Sequence, residues 1–135
     1  MKLITWDESF SVKNAAMDKQ HQHLVDLINK LHDAMGQGKA KETLPEVFNS
    51  LVKYTQSHFA DEEALMQKNN YPGLVSHQRQ HADLITQVSE LQRQFQAGDF
   101  GASMKTRDFL KQWLMEHIKE TDQKYGAFLN QMGIY

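Results

Sequence analysis

The fold is decided by the stretch Leu74-Val-Ser-His77-Gln-Arg-Gln-His81-Ala-Asp-Leu84, whose apolar and histidine positions alternate at steps of three and four residues. The same row continues to Phe95. This spacing aligns the side chains along one face of a helix, as on the inward seam of a helical bundle. Two imidazoles, His77 and His81, occupy core positions in that row. A buried imidazole needs a partner for each nitrogen, and two stacked ones favour a metal ion as that partner.

Helix-forming residues also dominate the rest of the 135-residue chain, which has only two prolines. An N-terminal arm at 1–17 is expected to pack its aromatic side chains onto the bundle, and Asp18 is the predicted cap of the first helix. Amphipathic patterns predict helices at about 18–36, 43–67, 73–97 and 103–126. Because the connections are short, we expect an all-α, up-down-up-down antiparallel four-helix bundle, with 1–135 as one domain.

Composition excludes several classes of protein. The net charge is -2 and no segment is strongly basic, so nucleic acid is not an expected partner. The chain has no cysteine, which excludes disulfides, thiolate metal sites and iron–sulfur clusters and fits a reducing compartment. No signal-peptide pattern and no run of about 18 apolar residues occurs. We therefore expect a soluble, cytoplasmic protein without a membrane segment.

Every predicted helix places a histidine on its apolar face, and two helices add a carboxylate. Helix lengths and short loops bring these positions to one end of the bundle interior, at the same depth to within about one helical turn. Taken singly, each histidine is more often a hydrogen-bonded core residue. Burying all of them together with two carboxylates would be costly without a metal. The candidate ligands are His21, His58, Glu62, His77, His81, His117 and Asp122.

These donors are too many for one ion, since a zinc site takes four ligands. Two octahedral ions accommodate the set. Five imidazoles, two bridging carboxylates and one bridging oxygen fill all but one of their coordination positions. Mixed imidazole and carboxylate ligation with one vacancy suits iron and dioxygen chemistry.

Asp122 has an unusual spacing, because it follows His117 by five residues. On an ideal α-helix that spacing turns the side chain by about 140°. Either Asp122 reaches across to the second metal, or the helix carries a π-bulge there, and we expect both.

Three other polar residues are assigned no metal. His23 lies on the opposite side of the first helix from His21 and is expected to be solvated. His32 is about 16 Å along the axis from His21 and is expected to be satisfied or partly exposed. Glu63 is expected at the surface, with a hydrogen bond to a ligand as the less favoured alternative.

The motifs, taken in order, resemble those of the hemerythrin family. They are Asp18-Lys-Gln-His21, His58-Phe-Ala-Asp-Glu62-Glu63, His77-x3-His81 and Trp113-Leu-x2-His117-Ile-x3-Asp122. Trp6 and Phe10 also fit the arm of the single-domain bacterial branch, the bacteriohemerythrins.

This resemblance implies reversible dioxygen binding at a non-haem di-iron centre. One iron would take His77, His81 and His117, and the other would take His21 and His58. The two carboxylates, Glu62 and Asp122, would bridge the irons together with a hydroxide or oxo group. The vacancy then lies on the two-histidine iron, where dioxygen would bind end-on.

Reversibility requires a dry, apolar pocket. Phe59, Trp113, Leu114 and Ile118 flank the ligands in sequence and are the candidate walls, with Leu114 and Ile118 as the expected gate. The resemblance thus implies a carrier, store or supplier of dioxygen, not an enzyme. It would act as a monomer, with an oxygen-using enzyme or a reductase as a further partner.

Alternative functions use the same centre. The chain could be a di-iron oxidase or peroxidase, a scavenger of NO or O2, a sensor or an iron store. Ferritin-like oxidases use carboxylates and Glu-x2-His pairs, and no Glu-x2-His occurs in this sequence. Histidine-rich ligation favours binding, although a weak peroxidase or oxidase side activity is compatible with it.

Overall fold

The structure, a computed structural model, describes residues 3–36, 40–98 and 101–135. Its helical segments are α1 (Ala15–Gly36), α2 (Ala40–Lys68), α3 (Leu74–Gln96), α4 (Gly101–Glu116) and α5 (Gln123–Gln131). A π-turn, His117–Asp122, joins α4 to α5, so that the two form the fourth long helix of the bundle. A short 3-10 turn, Glu8–Phe10, lies in the N-terminal arm. The first two residues of the predicted arm lie outside the described residues.

The helices pack in a closed ring. Each long helix contacts the next, and α1 also contacts α4. The apolar seams predicted from the sequence meet inside this ring, where their side chains are almost completely buried: Leu24, Ile28, Leu31, Leu51, Leu84, Val88, Leu110 and Leu114. Each long helix runs antiparallel to the next, since the last third of α2 contacts the first parts of α1 and α3, and the π-turn at the end of α4 contacts the first part of α3. The predicted all-α four-helix bundle is therefore confirmed.

The start of α1 corrects one prediction, since Asp18 is not its cap. The Oδ1 atom of Asn14 accepts a hydrogen bond from the backbone N–H of Met17 at 3.1 Å, so Asn14 caps a helix that begins three residues earlier than expected. Asp18 lies in the first turn instead. Its carboxylate accepts hydrogen bonds from the Ser11 hydroxyl at 2.6 Å and the Val12 N–H at 2.8 Å.

Two other helices are longer than predicted. α2 begins at Ala40 instead of 43, because the alanine, lysine and glutamate at positions 40–42 are strong helix formers. The fourth helix begins at Gly101 and continues to Gln131, beyond the predicted end at 126. Tyr125 and Leu129 are fully buried there against the Met17 and Met66 cluster, and this packing extends the helix. Among the described residues, no helix is both long and apolar enough to cross a membrane.

Two of the contacts that fasten the arm to the bundle lie near its opposite ends. The buried Asn29 side chain of α1 accepts a hydrogen bond from the Ile4 N–H at 2.9 Å and donates one to the Ile4 carbonyl at 2.8 Å. Further along, Val12 packs so closely on Gly126 that a Cβ atom there would lie 2.6 Å from the Val12 carbonyl oxygen. The arm therefore packs along α1 and reaches α5 next to the bundle end that holds the candidate ligands.

Candidate metal centre

The seven candidate ligands meet at one end of the bundle interior, as the sequence predicts. They come from the beginnings of α1 and α3, the last third of α2 and the π-turn. Each of these residues has 5% or less of its surface exposed: His21, His58, Glu62, His77, His81, His117 and Asp122. The structure thus separates this polar cluster from water.

Three histidines form one half of the cluster, with their Nε2 atoms directed at one point. The His117 Nε2 atom lies 3.1 Å from that of His77 and 3.2 Å from that of His81. Two neighbouring ligands at about 2.1 Å from an octahedral metal ion are separated by about 3.0 Å. Both distances from His117 Nε2 therefore match neighbouring positions of an octahedral site.

The two carboxylates complete this three-histidine half. Glu62 Oε1 lies 2.8 Å from His77 Nε2 and 3.1 Å from His81 Nε2. Its distance to His117 Nε2 is 4.0 Å, close to the roughly 4.2 Å that separates opposite ligands of an octahedral ion. Asp122 Oδ1 lies 3.0 Å from His77 Nε2 and 3.1 Å from His117 Nε2.

The second oxygens of the same carboxylates face a two-histidine half. Glu62 Oε2 lies 3.1 Å from His21 Nε2 and 3.2 Å from His58 Nε2. Asp122 Oδ2 lies 3.3 Å from His21 Nε2. Each carboxylate therefore spans both halves, and this half has one imidazole fewer than the other.

Asp122 shows that the cluster suits cations. Both of its carboxylate oxygens are buried and accept no hydrogen bond, although imidazole nitrogens lie 3.0 to 3.3 Å away. A buried carboxylate that accepts no hydrogen bond is unfavourable. Cations placed between the carboxylate oxygens and the imidazole nitrogens would satisfy both groups, so the residues present fit a pair of metal ions.

Without metal, the cluster retains protons. Burial alone would lower the pKa of an imidazole, but Asp122 and Glu62 raise the pKa of His21 to about 10 and that of His77 to about 9. Burial would raise the pKa of Glu62, but the surrounding histidines hold it well below its ordinary value. Burial lowers the pKa of His117. Metal ions that bind to this site must therefore displace protons from it.

The π-turn resolves the spacing between His117 and Asp122. Residues five apart share a face in a π-turn, so both side chains point into the cluster. The Asp122 carboxylate also reaches both halves. The expected π-bulge and the expected reach across the site are therefore both present.

The chain has clear similarity to known proteins. The family described as hemerythrin HHE cation binding domain matches residues 12–129. The chain belongs to the hemerythrin family. A bacteriohemerythrin of Stenotrophomonas maltophilia is 36% identical over 135 residues, which cover 97% of this chain and 87% of that protein. A bacteriohemerythrin of Pseudomonas aeruginosa is 40% identical over 126 residues, 93% of this chain and 80% of that protein.

A solved structure of wild-type hemerythrin has a TM-score of 0.86 against this hemerythrin-family chain. The two are 33% identical, and the match covers 93% of this chain and 96% of the other. The myohemerythrin of Riftia pachyptila is 35% identical over 124 residues, which cover 92% of each protein. The resemblance seen in the sequence motifs is thereby confirmed.

Three side chains lie within hydrogen-bond distance of the Nδ1 atom of a candidate-ligand histidine, the ring nitrogen that faces away from the cluster. We call these Nδ1 atoms the outer nitrogens, and the three side chains the outer partners. Each is adjacent in sequence to a candidate ligand but contacts a histidine of the next helix. The acceptor-to-nitrogen distances are 2.6 Å for Gln20 Oε1 to His58 Nδ1, 3.0 Å for Glu63 Oε2 to His81 Nδ1 and 3.0 Å for Gln80 Oε1 to His117 Nδ1. The expectation that Glu63 is only a surface residue is therefore wrong, and the less favoured alternative is correct.

Tyr125 is a further contact that the sequence pattern did not reveal. It lies on the predicted inward face, but its hydroxyl also donates a hydrogen bond to Glu62 Oε2 at 2.9 Å. Burial, together with the charges of Glu62 and Asp122, raises the pKa of Tyr125 well above 10. The hydroxyl therefore stays protonated and remains a donor.

An apolar cavity lies one turn from the ligands, on the bundle axis. Phe59, Trp113 and Leu114 line it, together with residues of all four long helices. It leaves about 10 Å³ for the centre of a small molecule, which is room for roughly one. Phe59 stacks on His81 at 3.7 Å, and Trp113 stacks on His117 at 4.2 Å between ring centres. Ile118 is fully buried but does not line this cavity.

The remaining histidines lie outside the cluster. His23 is exposed and its ring packs against Tyr54 at 4.2 Å between centres. His32 is half-buried, and its Nδ1 atom lies 3.2 Å from Arg107 Nη1. Neither of these contacts involves a candidate ligand, in agreement with the sequence expectation.

Proposed function

We propose that this chain binds dioxygen reversibly at a non-haem di-iron centre. The observation that carries the proposal is the division of the buried cluster into a three-histidine half and a two-histidine half spanned by the same two carboxylates. The three-histidine half comprises His77, His81 and His117, and the two-histidine half comprises His21 and His58. Two iron ions bound there would supply the reversible electron donation to dioxygen that side chains cannot provide.

The unequal halves indicate where dioxygen would bind. With Glu62 and Asp122 shared, the two-histidine half has four side-chain donors and the other half has five. If iron ions are bound, the half with fewer side-chain donors would have the coordination position that is free for dioxygen. We therefore place the ligand-binding side of the centre next to His21 and His58.

The side chains around the centre favour reversible binding over turnover. Phe59, Trp113 and Leu114 surround it with apolar surface, which limits access of water and external protons. Tyr125 is fully buried and donates its hydrogen bond to Glu62, so its proton is held by a bridging carboxylate. A carrier needs such a site, because protons that reach oxygen after it has accepted electrons would let it leave as a reduced product instead of as O2.

The decisive experiment combines metal analysis with oxygen cycling. The protein is loaded with ferrous iron without oxygen, exposed to O2 and then returned to vacuum. We expect two irons per chain, a colour change on exposure and recovery of the colourless ferrous state. Irreversible bleaching with product formation would indicate an oxidase, and a single bound ion would refute the proposal.

A matched pair of variants tests the ligand assignment. His77→Ala removes a buried donor from the three-histidine half and should lower iron content and stability, because ligation and folding are coupled. His23→Ala makes the same chemical change at an exposed residue and should keep full iron content. Equal iron content in both variants would contradict the assignment.

The setting of this function remains a prediction from sequence. We propose a cytoplasmic monomer that serves an oxygen-using enzyme or receives electrons from a reductase. Cell fractionation and analytical ultracentrifugation of the iron-loaded protein test the location and the oligomeric state.

A further inference from the structure

The outer partners differ in charge, which makes the two halves of the metal centre unequal. Gln20 and Gln80 present neutral amide oxygens to His58 and His117. Glu63 presents a carboxylate oxygen to His81 at 3.0 Å. The three-histidine half therefore has an anion at its outer edge in addition to the carboxylates that both halves share.

The local structure holds Glu63 in this position. Glu63 follows Glu62 on α2, and its side chain crosses to α3 while remaining 26% exposed. It borders an open groove between these helices, together with Phe59, Ala60 and Ile85. The face of His81 is fixed independently, because Phe59 stacks on it with an angle of only 1° between the rings. The ring is thus held on its face and at its outer nitrogen.

A hydrogen bond at the outer nitrogen of a metal-binding histidine has two effects. It fixes the proton on Nδ1, so that the Nε2 lone pair faces the metal, and a carboxylate acceptor makes the imidazole a stronger donor than an amide does. An amide in the same place would retain only the first effect. Stronger donation and a nearby negative charge stabilise the more positive, oxidised state of a metal ion.

The contacts of the two-histidine half work in the opposite direction. Tyr125 donates a hydrogen bond to Glu62 Oε2, the oxygen that faces this half, and so withdraws charge from it. Among the described residues, the outer partner on this side is the neutral Gln20, whose amide in turn donates to the exposed Asp61 carboxylate at 3.2 Å, and the buried Nδ1 atom of His21 has no hydrogen-bond acceptor. The three-histidine half is therefore the one in which an outer carboxylate contacts a histidine directly.

We propose that Glu63 is a positioning residue that orients His81 and, through its charge, lowers the reduction potential of the three-histidine half of the iron centre. This inference rests on the proposed di-iron function. It assigns to Glu63 a role in determining which iron is oxidised more easily, whereas Gln20 and Gln80 only orient their histidines.

Three variants of the iron-loaded protein separate charge from orientation. Glu63→Gln keeps an acceptor for His81 but removes the charge, so iron content should be retained and the reduction potential should rise. Gln80→Glu adds a charge at His117 and should lower the potential. Glu63→Ala removes the acceptor as well, and iron affinity should fall about 10- to 100-fold, as is typical when such partners are lost.

Glu90→Gln is the matched control, since it makes the same change at an exposed carboxylate of α3 paired with Arg93. It should leave both potential and iron affinity unchanged. If Glu63→Gln and Gln80→Glu both retain the wild-type potential, Glu63 has no electronic role and the inference is overturned. A wild-type protein that binds two irons and cycles oxygen would then still support the proposed function, whereas a wild-type protein without iron would refute both.

Discussion

Replacing Leu114 with alanine tests whether the apolar cavity protects the centre. Leu114 is 5% exposed, and its side chain forms part of the cavity wall beside Phe59 and Trp113. Leucine-to-alanine changes in a core cost about 3–5 kcal/mol, and the loss is larger where neighbours cannot collapse into the space. Here the neighbouring rings are stacked on His81 and His117, so we expect about 4 kcal/mol.

The functional effect of this variant should be separable from its effect on stability. The enlarged cavity would admit water next to the ligands, and the oxygenated form should decay several-fold faster, as followed by its visible spectrum. Leu110→Ala is the control, because Leu110 is 4% exposed and lines the same cavity one turn, about 6 Å, further from His117. We expect a similar loss of stability but an almost unchanged decay rate. Equal acceleration in both variants, or none in Leu114→Ala, would refute the gate.

Two further predictions concern the arm and the metal-free site. Gly126→Ala would place a Cβ 2.6 Å from the Val12 carbonyl oxygen. The overpacking should cost about 1–3 kcal/mol, more than the roughly 1 kcal/mol that alanine gains in helix propensity, so urea denaturation should show a net loss of stability. Gly36→Ala is the control and should show no such loss, because no atom lies within 4 Å of its added Cβ. In the metal-free protein, the raised pKa of His21, about 10, gives stability that is complete below about pH 6.5 and is lost as the pH rises to about 10. Thermal unfolding across this range should show that loss, whereas the iron-loaded protein, with His21 already neutral, should not.

The meeting of the candidate ligands could be predicted from the sequence because these residues obey the same periodicity as the core. His58 and Glu62 are four residues apart on α2, as are His77 and His81 on α3, so each pair shares the buried face of its helix. Short loops then bring one end of each helix to the same level. No detail of side-chain packing is needed for this step, whereas the three-plus-two division is implied by the resemblance to the hemerythrin family.

The outer partners could not be predicted in the same way. Each lies one residue from a ligand, which turns it by about 100° towards the edge of the helix, where side chains are usually solvated. Whether Glu63 meets His81 depends on the rotation and axial shift of α3 relative to α2. Those quantities are set by the packing of the whole interface and not by a local pattern. The same limit applies to Asp18, whose carboxylate binds the arm because Asn14 already caps the helix.

The π-turn affects both a candidate ligand and an outer partner. On a regular α-helix the residue that follows His117 on the inward face would be Thr121, and Asp122 would be turned away. The extra residue in the turn brings Asp122 inward and shifts Thr121 outward, where its hydroxyl donates a hydrogen bond to Gln80 Oε1 at 3.1 Å. Gln80 in turn holds His117. One local change in the helix therefore brings the Asp122 carboxylate into the cluster and, through Thr121 and Gln80, also helps to orient His117.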